Sequence, residues 1–302
     1  MKKILLFIPF IFLFAACSQD NEIIAENDDS TNFPKEQKET DGMMVLGEKL
    51  ENPYSIANME KAYADLIKTR AVGDFKIETT DLYVRFLPKD STELLELQKD
   101  TLLELFDYPL DYDIEVEGTY YHDPSIPEGQ ITWLYTTVKP DYEFPAIQYE
   151  ILEKCFIPNE DDLDDEWIDD GIDDSVETRA GDMSFAELLE QKAFENAGLI
   201  KKFESKFNEP ETRSWKRKRP TGTLKVYDTY LRRDVPVKGV KVRCHTVVKW
   251  STAFTDENGY YSMGSKFRIG PHYAVVFDNS QGFTIWGNWG PFAAANYNMG
   301  WH

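Results

Sequence analysis

Thr255-Asp256-Glu257-Asn258-Gly259, followed by Tyr260-Tyr261-Ser262-Met263, decides how the last third of this chain folds. An acidic pair ahead of Asn-Gly, flanked by runs of β-branched and aromatic residues, is the chemistry of a hairpin turn. Working outward, Thr246 to Phe254 reads as the strand entering the turn, and Tyr273 to Phe277 as a later one. Further upstream, Val237-Lys238-Gly239-Val240-Lys241-Val242 and Thr223-Leu224-Lys225-Val226-Tyr227 are strand patterns joined through Pro236. From Gly222 onward the chain is therefore expected to be all β.

Before Gly222 the periodicity changes. A basic linker, 208–221, holds Lys216-Arg217-Lys218-Arg219; these cations either pair within the acidic chain or form a polyanion patch. Ser184 and Glu187 have capping-box spacing, and Phe185, Leu188, Leu189, Phe194, Ile200 and Phe203 share one face, which predicts an amphipathic helix over 183–207. An acidic linker, 159–182, separates it from residues 43–158. There Pro53 suits a first helical turn, ahead of Ile56, Met59, Tyr63, Leu66 and Ile67 at helical spacing. Thr79 to Leu87 alternates with Leu82, Val84 and Phe86 on one side, and Asp90 with Glu93 opens a short helix. Leu102 to Tyr108, Ile131 to Val138 and Gln148 to Phe156 complete the expected strands of an α+β domain.

Two stretches resemble known families. Gly222 to Val226, Val237 to Val242 and Thr255 to Ser262 together resemble the carboxypeptidase regulatory-like, or transthyretin-like, domain. That resemblance implies a seven-stranded β-sandwich over 222–302, in a family that carries no catalytic residues of its own. At the other end, Met1-Lys2-Lys3 precedes an apolar run from Ile4 to Phe14 that is too short to span a bilayer. Phe14-Ala15-Ala16-Cys17 closes it and resembles the lipobox of bacterial lipoproteins, with Phe14 where Leu is usual. The resemblance implies removal of residues 1–16 and acylation of Cys17 on sulfur and on its new amine, with residues 17–42 as a polar tether. Ser18-Gln19-Asp20-Asn21-Glu22 is similar in part to the export signal of surface lipoproteins, which implies the outer membrane.

The net charge of −21 excludes nucleic acid as an expected partner, since phosphate binding needs a basic face. The acidic linker invites a calcium reading through Asp161, Asp162, Asp164, Asp165, Asp169 and Asp170. It fails the EF-hand pattern, because aligning Gly171 with the loop glycine puts Ile168 at a ligand position. A solvated linker is the competing reading. Cys155 and Cys244 are expected as two buried thiols, four scattered histidines show no HExxH spacing, and no GxSxG or Walker-type loop occurs. Asp29-Ser30-Thr31 and Asp174-Ser175-Val176 resemble a bacterial O-glycosylation sequon, at Ser30 and Ser175. Trp286, Trp289 and Trp301 crowd the end of the chain; core packing, an interface for a further domain and stacking on sugar rings compete to explain them. The expectation that results is a non-enzymatic protein without cofactor, anchored to the outer membrane through lipid at Cys17. It would bind a cell-surface glycan or another envelope protein. The alternative is an accessory or pro-region of a secreted hydrolase.

Overall fold

A computed structural model describes residues 42–68, 75–158, 185–202, 217–277, 283–287 and 295–300. In chain order its first elements are Val45–Lys49 (β1), Ile56–Ile67 (α1), Asp81–Leu87 (β2), Ser91–Lys99 (α2), Tyr112–Val116 (β3), Leu134–Val138 (β4), Gln148–Cys155 (β5) and Phe185–Asn196 (α3). Then come Thr221–Asp228 (β6), Arg233–Pro236 (β7), Lys241–Thr246 (β8), Lys249–Phe254 (β9), Tyr260–Ser262 (β10), His272–Phe277 (β11), Phe283–Gly287 (β12) and Ala295–Gly300 (β13). The fold is mixed α+β.

Alternation in β2 builds the first half. Leu82, Val84 and Phe86 face a core with Leu97 of α2, Leu134, Val138 and Ile147. Tyr83 on the opposite face joins a second, larger core. β2 lies between β4 and β5, antiparallel to both. The box at α2 forms: Asp90 accepts from the amides of Thr92 and Glu93, and Glu93 reaches back to the amide of Lys89. α1 begins later than Pro53 suggested, because Ser55 is the cap and Pro53 stands in the turn before it. Leu102 to Tyr108 makes no strand, only a bridge between Phe106 and Tyr135. Glu104, Phe106 and Tyr108 are instead used against Arg243 and His245. The antiparallel pair of β1 and β3 was not expected; its register is broken twice, so no clean period marks it.

In the second half the sheets are open, ordered β10-β6-β13 with β7 also on β6, and β12-β11-β8-β9. β13 runs parallel to β6 and the other pairs are antiparallel. Val242, Cys244 and Tyr273 of one sheet meet Tyr261 of the other. Two expected strands divide differently. Val237 to Val242 bends at Gly239, whose φ is +75°, so that β8 starts at Lys241. Thr246 to Phe254 hides a two-residue turn, Val247-Val248, with Thr246 paired to Lys249. Valine opposes such a turn, and Val247 sits at φ +48°. Both side chains are buried in the larger core beside Tyr54, Trp133 and Phe194, which offsets the strain.

That core also takes Leu189 and Ile200 from the α3 region and Ile269 from the second half. Among the described residues, 43–158 and 222–276, expected as separate domains, both contribute to this larger core, while each also keeps a cluster of its own; Thr40–His302 is a single compact unit. The 255–259 turn forms as read, with Asp256 accepting from the amides of Asn258 and Tyr260. Gly259 has φ +73°, and a Cβ there would lie 2.3 Å from the Leu224 carbonyl oxygen. Gly259→Ala should therefore lower unfolding free energy by about 2–4 kcal/mol, read from urea midpoints. A loss below about 0.5 kcal/mol would show that the hairpin relaxes freely.

Candidate functional site

A groove of about 900 Å³ lies between the β1–β3 pair and the Tyr83 face of the three-stranded sheet. Its lining mixes tyrosines and charges: Tyr83, Tyr112, Tyr121 and Tyr135 with Lys49, Glu51, Arg85, Asp111, Asp123 and Glu153. Tyr83 and Tyr135 are buried and form the floor, whereas Tyr112 and Tyr121 are half-buried. A bulge in β5 opposite Tyr83 and Val84 leaves Leu152 unpaired and brings Leu152 and Glu153 together into the wall.

Most charges here are held by neighbours. Tyr83 donates to Asp111 at 3.0 Å and accepts from the Leu110 amide, while Lys49 pairs with Asp111 at 3.2 Å. The Asp111 carboxylate raises Lys49 above its ordinary value. Arg85 lies 4.0 Å above the Trp133 ring and donates from Nε and Nη2 to Glu150. Asn52 donates to Glu153 at 2.7 Å, and Asp123 accepts from the Ser125 amide and hydroxyl. Burial pushes the Tyr121 phenol up to about 12, so it stays neutral at physiological pH. Such an array offers fixed acceptors, aromatic surface and a negative surplus to a ligand.

Two buried polar centres join residues of the two halves. Glu190 of α3 is fully buried and accepts from Tyr54 at 2.8 Å. Around it stand Arg268 at 3.5 Å and Arg217 and Lys249, each at 3.7 Å. Burial alone would raise its pKa; the charges of Lys249, Arg268 and Arg217 outweigh this and hold it below the ordinary carboxylate value. Arg217, from the basic cluster, therefore pairs within the chain. The second centre is His245, whose Nδ1 lies 3.2 Å from the Val247 carbonyl and whose Nε2 lies 2.9 Å from the Tyr108 hydroxyl. A carbonyl only accepts, so Nδ1 carries the proton and Nε2 accepts from Tyr108.

Cys155 and Cys244 are free and buried, and burial pushes the Cys155 thiol up to about 12. Neither is an activated nucleophile. Cys17, Ser30, Asp161, Asp162, Asp164, Asp165, Asp169, Asp170, Ser175, Trp289 and Trp301 lie outside the described residues. Trp286 belongs to β12, where its backbone pairs with Ala274. Among the described residues no His, Cys, Asp and Glu side chains gather as a metal site, and no helix is long and apolar enough to cross a membrane. The groove residues were not singled out from sequence. A signal was present in 107–123, where Tyr108, Tyr112, Tyr120 and Tyr121 interleave with Asp107, Asp111, Asp113 and Asp123. Comparison with known protein families, curated proteins and solved structures finds no match to this chain.

Proposed function

We propose that this is a lipid-anchored protein of the bacterial outer membrane, held through Cys17, that works by binding rather than by catalysis. The second half is proposed to be a transthyretin-like sandwich that supports the binding half. The observation that carries the binding reading is the groove, where Asn52 holds Glu153, Ser125 holds Asp123 and the Trp133 ring holds Arg85. Fixed polar groups around half-buried rings favour recognition of a ligand's shape and hydrogen bonds.

Two measurements test the two parts. An alkyne fatty acid should label the wild type in cells, and Cys17→Ser should lose the label and leave the membrane fraction. Equal labelling of both would end the anchoring proposal. For binding, immobilised wild type should retain a component of solubilised envelope that Tyr112→Ala/Tyr121→Ala does not. Identical retention by both proteins would remove the groove from the function.

A further inference from the structure

We propose that the groove's partner is an extended, basic protein segment that adds to the outer edge of β5 as a fourth strand. This rests on reading the groove as a binding face. β5 is an edge strand in the order β4-β2-β5. Among the described residues, only its end is met on the outer side, by Ser55 at Cys155 and by Tyr54 at Phe156. Tyr149, Ile151 and Leu152 are 41%, 49% and 40% exposed, three large apolar side chains within four positions. Edge strands are ordinarily defended by shortness, proline, lysine or a bulge. β5 has eight residues, no proline and one lysine, Lys154, and its bulge at Leu152 divides the edge. The stretch Gln148 to Ile151 before the bulge keeps a backbone suited to strand addition.

Charge selects the occupant. Glu51, Asp111, Asp123 and Glu153 line the groove against Lys49 and Arg85, and Lys49 and Arg85 are already engaged by Asp111 and Glu150. The surplus is negative, as is the chain at −21. A second copy would bring the same surplus and set Glu150 and Glu153 near their own kind, so self-pairing is opposed. β4, β2 and β5 all line the groove, which therefore runs across the strands, and a segment added to β5 passes its Leu152–Glu153 end. Side chains alternate along a strand, so every second residue can turn to the groove face beside Glu150 and Glu153, which favour lysine or arginine.

The probe is a labelled Lys-Val-Lys-Val-Lys-Val-Lys peptide, its alternately N-methylated form and a Glu-for-Lys form, followed by fluorescence anisotropy at physiological salt. The lysine peptide should bind, and N-methylation should weaken it at least about tenfold by removing backbone donors. The glutamate form should not bind. Glu153→Gln and Glu51→Gln should each weaken binding while melting temperature stays unchanged. Equal binding of the N-methylated peptide would overturn strand addition, as would absent binding, groove-independent binding, displacement by a neutral polysaccharide, or a β5-dependent homodimer in light scattering. If envelope retention depends on Tyr112 and Tyr121 but the peptides fail, this inference falls and the groove's role stands.

Discussion

Glu190→Gln should lower unfolding free energy by about 3–5 kcal/mol, because it leaves Arg217, Lys249 and Arg268 around a neutral amide in a buried site. The carboxylate is the shared counter-charge of α3, the segment before β6, the start of β9 and the segment before β11. Its loss should therefore loosen the two halves together, with one transition in urea rather than two. Adding Lys249→Met to Glu190→Gln should recover part of the loss, since it removes one of the three cations around the amide. The pH sign follows from a folded pKa below the ordinary 4.5. Glu190 contributes stability above pH 4.5, and that contribution is lost as pH falls through its folded value. The Gln variant should lack this acid-dependent share. A change under about 1 kcal/mol would show that the centre is hydrated and its charges independently solvated.

Acid should weaken the protein before the carboxylates titrate, and His245 should account for it. Burial lowers His245 from 6.5 to about 3, with the Val247 carbonyl opposing and Arg243 adding to the effect. The unfolded chain takes up this proton near pH 6.5 and the folded chain does not. Stability is therefore full above 6.5 and falls at up to about 1.4 kcal/mol per pH unit towards 3. Between pH 7.5 and 4 the loss should be on the order of 3 kcal/mol. His245→Phe should flatten the curve between pH 6.5 and 5. It should also cost a pH-independent 1–3 kcal/mol or so, because the Tyr108 hydroxyl loses its acceptor. Urea midpoints at four pH values measure both. An unchanged slope in His245→Phe would assign the acid sensitivity elsewhere.

These two centres also mark where sequence reasoning stopped. Glu190 stands in a helix whose apolar face was legible from Phe185, Leu189 and Phe194, yet nothing local says that a glutamate among them is buried. Its burial depends on three cations that come 27, 59 and 78 positions later in the chain, at Arg217, Lys249 and Arg268. His245 read only as one residue of a strand, because its partner Tyr108 lies 137 positions away.

Local chemistry did determine much. The alternation of Leu82, Val84 and Phe86, the Asp90–Glu93 box and the Asp256 to Gly259 turn all form as their residues require, because each depends on neighbours a few positions apart. Tertiary structure alone decided the Val247-Val248 turn, the loss of a strand at 102–108, the residues that both halves give to the larger core and the assembly of the groove. In each, burial or charge pairing between distant segments outweighs local preference. A residue's own period records which face it presents, not which distant segment will cover that face.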